Sequence, residues 1–495
     1  MNKRGTGIAL SYINTITNMI CGIFLSAYIL RVIGDTEYGV YQTISSFANY
    51  LVLLEFGTGT AMTRNLSVCR AKQSNEEEID KNVGTIWLIT VVLSAIILLV
   101  SIIFYISIDG IYSKSMTVEQ ILYAKRIFVF VTVYLLASFF VQTLNGVVLA
   151  HEQYTFSSGI NLFRTITRTM LLVGLLLMWR RSIIIAIVDM FLTVVILVVT
   201  YLFCVKKLKI RIAITKFDKK VFLSTYSLCF AVFLQVIINQ SNNNVDKFII
   251  GIKMNPEAVT LYSVGMYIYS VFSSLTTIPI SMYAPEVAKN VTRGLCGEEL
   301  EDTLIKPSRL ITLIGGTVLF GFIAVGKQFI TIMYGRDYLI SWWIAVLIMI
   351  PMFVNMSNGI LINVLDVMNK RMSRSIILLV TTILNIVLTV FFLEWYGIVG
   401  AALATMIATF LGQIIIMNLY YYNEIKINVI RMFRLTYKGI LIYQIAASVI
   451  SYLIANLINN SYVSFFIGGI VYCLVFILGF WYWGANQEEK FLVMK

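Results

Sequence analysis

The sequence predicts an all-α, polytopic membrane protein with about 14 transmembrane helices, arranged as two six-helix lobes plus two C-terminal helices. Three observations support this: the composition, the spacing of apolar segments and the distribution of basic residues. Of the 495 residues, 59% are apolar and only 13% are charged, whereas soluble domains are about 45–50% apolar and about 25% charged. No long stretch has a soluble composition, which excludes a soluble enzyme with a membrane tail.

Fourteen segments are long and apolar enough to cross about 30 Å of hydrocarbon, which takes about 20 helical residues. The first follows Lys3 and Arg4, and it is too long and too polar for a cleaved signal peptide, so we expect it to be retained. The seventh exceeds one crossing and is expected to tilt or bend. The predicted spans are 9–31, 39–62, 83–108, 121–149, 157–179, 182–204, 221–250, 259–284, 309–333, 339–368, 373–394, 397–421, 437–457 and 462–484.

The positions of the lysines and arginines predict the orientation. An even number of spans places both termini on one side of the membrane, and the segments on that side carry 26 of the 38 basic residues. This excess is typical of the cytoplasmic side. Most of the net charge of +13 is therefore explained by topology, and we expect no nucleic-acid partner. All connections are short, which leaves no room for a soluble catalytic domain.

A weak internal repeat predicts how the spans are grouped. Its offset of 221 residues relates the first span to the seventh, and an even number of spans per lobe makes the two lobes parallel. We expect an N-terminal lobe at 1–205, a basic cytoplasmic linker at 206–220, a C-terminal lobe at 221–422, and two additional helices with a short cytoplasmic tail at 423–495. The matched pairs are Asn14 and Gln235, Asn18 and Asn239, Tyr41 and Tyr262, and, with an offset of 220, Glu37 and Glu257.

Two arginines inside the fifth span are the first candidates for function. Arg164 and Arg168 are one helical turn apart and share a face with Asn161. If the helix begins near residue 157, Arg168 lies about 16 Å deep at about 1.5 Å per residue. Guanidinium groups bind phosphate oxygens well, so this face suits a diphosphate. The alternative is that Arg164 extends to the interface while Arg168 pairs with Asp189.

Neutral polar stripes on two further spans are candidates for contact with sugar hydroxyls. Such a stripe on an apolar helix faces either a water-filled cavity or another helix. The sequence leaves both alternatives open, since the same side chains can hold helices together by hydrogen bonds. The stripes consist of Asn14 and Asn18 on the first span, and of Gln235, Asn239, Asn242 and Asp246 on the seventh.

Candidates for gating or ion coupling lie on the second and seventh spans. Asp246 and Lys247 form either an interfacial ion pair, a gate, or part of a coupling site for H⁺ or Na⁺. Glu55 is the better proton carrier, because a carboxyl group in an apolar span can bind and release a proton. Its alternative role is as an ion-pair partner of Arg64 or Arg31.

Enzyme chemistry finds little support in the sequence. None of the six cysteines has C-x-x-C spacing, and His151 is the one histidine. We therefore expect no disulfide framework, no metal site, and no acyltransferase or other histidine-dependent site. A membrane enzyme and a passive scaffold remain the alternatives from outside the transporter class.

Four segments resemble motifs of a known transporter family. VIGDTEYGVYQTI follows the first span, LEFGTGTAMTR ends the second with Glu55 at the acidic position, VDKFIIG continues to EAVTLYSVG, and LNIVLTVFFLEWYGIVGAALAT joins the eleventh and twelfth spans. In this order, they resemble the Wzx-type polysaccharide flippases of the multidrug/oligosaccharidyl-lipid/polysaccharide (MOP) exporter superfamily. The resemblance extends over most of the chain.

This resemblance implies two six-helix lobes around a central cavity, working by alternating access in a bacterial plasma membrane. It implies export of undecaprenyl-diphosphate-linked oligosaccharide for capsule, O-antigen or exopolysaccharide synthesis, without a cofactor apart from a coupling ion. The implied partners are this substrate, membrane lipids, and the polymerase and chain-length machinery. A multidrug exporter and a peptidoglycan precursor flippase are the alternatives, and the deep arginines favour an anionic substrate over cationic drugs.

Overall fold

The computed structural model describes most of the chain, and every regular element in that part is helical. It divides into two compact units, Met1–Thr260 and Leu261–Lys495. The lobe limits expected from the repeat stay predictions. The described residues are 3–55, 57–210, 217–223, 225, 244–368 and 370–485.

In the first unit, glycines and polar caps mark several of the breaks between helices. Gly34 separates the first two helices with φ at +84°, a conformation that glycine adopts without strain. Asn75 and Thr117 cap helices with their side chains. The helices are α1 (Lys3–Ile33), α2 (Asp35–Leu51), α3 (Thr58–Ala71), α4 (Glu76–Tyr112), α5 (Val118–Ala150), α6 (Tyr154–Met178), α7 (Ile183–Leu202) and α8 (244–253).

The second unit begins within a long helix and continues with helices of very different lengths. Gly335 and Gly439 have positive φ in the turns before α11 and α16. The Asn460 side chain caps the last helix of the described residues. The helices are α9 (Pro256–Thr292), α10 (Gly297–Met333), α11 (Ile340–Ser357), α12 (Ile360–Val367), α13 (Arg371–Thr409), α14 (Met417–Ile425), α15 (Val429–Tyr437), α16 (Leu441–Asn456) and α17 (Ser461–Gly479).

The lengths and compositions of these helices confirm a multi-pass membrane protein. Ten helices in the described part of the chain can cross a bilayer, or 11 if the bent pair α15 and α16 forms one span. Several predicted spans take another form. The second is interrupted at Val52–Glu55, and the eleventh and twelfth belong to one 54-residue run, Met372–Ile425. At about 1.5 Å per residue, its 54 residues are long enough for two crossings. The helix is broken at Gly397, where φ is +57°.

Three connections of the first unit meet at one end of its helices. The Glu37 carboxylate, in the first turn of α2, accepts hydrogen bonds from the Ser182 backbone N–H at 3.0 Å and the Tyr123 hydroxyl at 3.1 Å. It also pairs with Arg181 at 3.3 Å. These contacts join the first turns of α2 and α5 to the turn before α7. The predicted alternation of spans requires these connections to lie on the same side.

The start of α2 also contacts the first turns of α9, more than 200 residues later. The Thr36 hydroxyl donates to Glu257 at 2.5 Å, and the Thr260 hydroxyl donates to the Asp35 carbonyl oxygen at 2.7 Å. Gly39 faces the Pro256 backbone so closely that an added Cβ would lie 2.0 Å from the Pro256 carbonyl oxygen. The contact therefore requires a residue without a side chain at position 39.

In the second unit, Arg309 joins α10 to the C-terminal helices. The side chain is buried, and it donates to the Lys438 carbonyl oxygen at 2.8 Å, the Leu435 carbonyl oxygen at 3.0 Å and the Gly484 carbonyl oxygen at 3.4 Å. The last carbonyl groups of a helix have no partner within the helix, and a cation is favourable there. Arg309 thus satisfies the ends of α15 and of the helical turn Phe480–Gly484.

Arg309→Gln is expected to lower the free energy of unfolding by about 3 kcal/mol or more, because a buried charged donor to three carbonyl oxygens is lost. Thermal unfolding in detergent measures this, with Arg293→Gln as the control, since Arg293 is exposed on the same unit. Equal unfolding temperatures for the two variants would show that Arg309 does not stabilise this junction.

Candidate functional site

A cavity of about 270 Å³ lies between α1 and α6, two helices that pack along each other. One wall comes from α1 and the other from α6, and most of the lining side chains are polar although both helices are candidate membrane spans. Five of the predicted substrate-site residues meet here. The lining residues are Asn14, Asn18, Cys21, Gly22, Leu25, Asn161, Arg164, Thr165, Arg168 and Thr169.

Apolar packing holds the two walls together at one end of the cavity. Leu25, which lines the cavity, belongs to a buried cluster with Leu172 on α6 and Val188 on α7. The Tyr28 hydroxyl adds a bond of 3.0 Å to the Val173 carbonyl oxygen. The polar face of α1 is therefore held opposite that of α6 by side chains about one to two turns farther along each helix.

Thr165 connects the asparagine stripe of α1 to α6. Its hydroxyl lies 2.8 Å from Asn18 Oδ1 and 3.4 Å from Asn14 Oδ1. The two asparagines are themselves joined, with Asn18 Nδ2 donating to Asn14 Oδ1 at 3.3 Å. Asn18 and Asn161 remain exposed along the cavity. The stripe therefore combines the two roles left open by the sequence, since it links two helices and also presents amide groups to the cavity.

Arg168 forms a bidentate ion pair with Asp189 on α7. Its Nε lies 2.5 Å from Oδ1, and its second contact to Oδ2 is 3.0 Å. The alternative that the sequence left open, an Arg168–Asp189 pair, is thus present in the structure. An arginine held by a carboxylate has little net charge left to offer a ligand, so it serves mainly to join α6 to α7.

Arg164 has a different environment. Its Nη2 donates to the Thr193 hydroxyl at 3.3 Å, and its guanidinium carbon lies 5.8 Å from the centre of the Tyr134 ring. Both partners are neutral, and no carboxylate among the described residues pairs with it. Its positive charge is therefore uncompensated at the cavity wall, where a bound anion would satisfy it.

Arg168→Gln is expected to lower the free energy of unfolding by about 2 kcal/mol, because Asp189 would be left without its partner. The loss is smaller than for a fully buried pair, since the Arg168 side chain keeps 33% of its surface exposed. Adding Asp189→Asn should restore most of the unfolding temperature measured in detergent. A double variant as unstable as Arg168→Gln would show that the arginine stabilises the protein through other contacts.

The predicted gating residues are not gathered in this cavity. Glu55 ends the turn after α2, and its carboxylate has no hydrogen-bond or ion-pair partner among the residues the structure describes. Arg64 and Arg31 are exposed, on α3 and at the end of α1. Asp246 is buried on α8, beside the half-buried Lys247. The predicted roles of these five residues stay predictions.

Three predicted substrate residues, Gln235, Asn239 and Asn242, lie outside the described residues. Conversely, Thr165 and Thr169 line the cavity although the sequence did not predict them. They continue the spacing of four residues from Asn161, but threonine is common in apolar helices, so its residue type alone gave no signal. No group of three or more histidine, cysteine, aspartate or glutamate side chains suited to a metal ion occurs within the described ranges.

Comparison with known proteins identifies the family. The sequence profile of the family described as "Polysaccharide biosynthesis protein" matches residues 5–291, more than half of the chain. No curated protein matches the chain.

Solved structures share the fold at low sequence identity. The lipid II flippase MurJ, in an inward closed conformation, is 18% identical with a TM-score of 0.70, covering 95% of this chain and 99% of its own. An inward-facing multidrug resistance MATE family transporter is 12% identical with a TM-score of 0.58. The match covers 87% of this chain and 98% of the transporter. A MOP superfamily transporter from Pyrococcus furiosus is 12% identical with a TM-score of 0.55. The match covers 88% of this chain and 97% of that transporter. The chain has the MOP transporter fold that its sequence motifs predict, and it belongs to the polysaccharide biosynthesis protein family.

Proposed function

We propose that this protein is a flippase that moves undecaprenyl-diphosphate-linked oligosaccharide across the plasma membrane of a bacterium for surface polysaccharide synthesis. The observation that carries the proposal is the uncompensated charge of Arg164 beside a row of neutral amides and hydroxyls, inside helices that span the membrane. Membership of the polysaccharide biosynthesis protein family supports the same pathway.

The two halves of the cavity wall suit the two parts of such a substrate. A diphosphate is an anion with several acceptor oxygens, which a guanidinium can bind with more than one N–H group. Sugar hydroxyls are neutral donors and acceptors, which the amides of Asn14, Asn18 and Asn161 match. Cationic drugs lack this complementarity, because Arg164 would repel them.

Transport by alternating access requires a contact that closes one side and can open. The start of α2 and the segment 251–260 provide a candidate, since they touch through Thr36 and Glu257 and through Gly39 and Pro256. Basic residues predict that this end faces outward. The proposed cycle opens this contact to release the oligosaccharide into the outer leaflet.

Coupling to H⁺ or Na⁺ is part of the proposal, with Glu55 as the proton carrier. Glu55→Gln keeps the size of the side chain and removes its ability to ionise, so transport in proteoliposomes should lose its response to an imposed pH gradient. Arg126→Gln, which removes an exposed cation outside the predicted coupling residues, is the control. A response to the pH gradient in Glu55→Gln equal to that of the wild type would remove Glu55 from this role.

The experiment that tests the function is a deletion strain analysed for lipid-linked oligosaccharide and surface glycan. Completed repeat units trapped on the cytoplasmic leaflet, together with loss of surface polymer, are expected. Accumulation of lipid-linked peptidoglycan precursor instead would favour the peptidoglycan precursor flippase. Unchanged lipid pools with an intact surface would contradict both and favour a drug exporter.

A further inference from the structure

The helix α15 is short and lies between the long helical run Met372–Ile425 and α16. It is inclined by 48° to α16. The run before α15 is a candidate span, and α15 and α16 together form a bent one. The bend between them therefore places α15 near the end of the apolar layer, where headgroups and acyl chains meet. This is the end that the basic residues assign to the cytoplasm.

One face of α15 is fixed to the rest of the unit. Val429 and Met432 are buried in a cluster with residues of α10, α12 and α14. Arg431 pairs with Glu301 at 3.2 Å and with Asp302 at 2.9 Å, both at the start of α10. This face is therefore occupied, and both carboxylates are held by Arg431.

The opposite face combines an exposed apolar side chain with two cations. Ile430 and Arg434 are four residues apart and lie on the same side of the helix, and Lys438 follows directly after its last residue, Tyr437. Ile430 is 82% exposed, and both cations are exposed. Within the described part of the chain, neither the Arg434 nor the Lys438 side chain has an acidic partner.

We infer that this face, formed by Ile430, Arg434 and Lys438, binds the headgroup of an anionic phospholipid. An exposed isoleucine is unfavourable in water but favourable among acyl chains. The two cations on the same side suit a phosphate group at the depth where the isoleucine enters the lipid, and anionic lipids attract basic side chains near the membrane surface. Charge and apolarity thus both match a lipid rather than a soluble anion.

The test measures which lipids the full-length purified protein retains. The protein is reconstituted in nanodiscs containing phosphatidylcholine and phosphatidylglycerol, extracted into mild detergent, and analysed for bound lipid by native mass spectrometry. The wild type should retain phosphatidylglycerol in preference to phosphatidylcholine. Arg434→Gln with Lys438→Gln should weaken this preference by about fivefold or more for each cation removed.

Two controls separate the lipid site from general charge and from folding. Lys114→Gln with Arg126→Gln removes two exposed cations elsewhere on the chain and should retain the wild-type preference. Arg434→Lys with Lys438→Arg keeps both charges and should retain it as well. An unchanged preference in Arg434→Gln/Lys438→Gln, or displacement of the lipid by equimolar inorganic phosphate, would overturn the inference.

Discussion

Arg164→Gln should reduce transport of a diphosphate-linked oligosaccharide in proteoliposomes by about 10- to 100-fold, the equivalent of the 1.5–3 kcal/mol typical of hydrogen bonds to a charged group. The side chain has only neutral partners, Thr193 and the Tyr134 ring, so its loss leaves no carboxylate unpaired. The fold should therefore persist while anion binding is lost. This separates Arg164 from Arg168, whose removal leaves Asp189 unpaired.

Arg164→Lys should give an intermediate rate, because lysine keeps the charge but offers no planar, forked set of donors. Arg126→Gln is the matched control, since it removes an exposed cation far along the sequence from the cavity. The unfolding temperature and the amount of protein in the membrane should match those of the wild type in all three variants. Wild-type transport by Arg164→Gln would place substrate recognition elsewhere in the chain.

Gly39→Ala should prevent the contact between α2 and the start of α9, and of the single methyl additions in this region it should reduce transport most. The added Cβ would lie 2.0 Å from the carbonyl oxygen and 2.4 Å from the carbonyl carbon of Pro256, both backbone atoms that no rotamer change can move. Overpacking typically costs about 1–3 kcal/mol, and separation of the segments avoids this cost at the expense of the Thr36–Glu257 bond.

A cross-linking experiment follows the contact directly. Thr36→Cys with Glu257→Cys, in a background without the native cysteines, should form a disulfide under mild oxidation, and adding Gly39→Ala should abolish it. Gly174→Ala is the matched control, because an added Cβ at Gly174 meets no atom within 4 Å. Efficient cross-linking with alanine at position 39 would mean that the segments absorb the methyl group without separating.

The membrane fold could be predicted because the bilayer imposes a length and an apolarity that are visible in the sequence itself. The polar residues Asn14, Asn18, Asn161 and Arg164 could be assigned to one site for the same reason, since each is costly inside an apolar helix. The sequence also suggested Asp189 as a partner for an arginine. It did not decide that partnership, because helix rotation determines which polar groups meet.

Other features depend on tertiary contacts that periodicity does not encode. Arg309 is the first residue of the predicted span 309–333, but it lies within α10 and is 4% exposed. The carbonyl oxygens that bind it belong to residues more than 120 positions later. Gly39 likewise gave no signal, because its requirement arises from the distant Pro256 backbone rather than from its own helix.

The bonding of Arg309 has a consequence for how the chain is made. During synthesis α10 enters the membrane before any of its acceptors exist, and the Gly484 carbonyl oxygen becomes available only after α17 has been translated. Until then a buried guanidinium lacks part of its solvation, which keeps the second unit incompletely assembled. Gly484 therefore completes the bonding of an arginine that was translated 175 residues earlier.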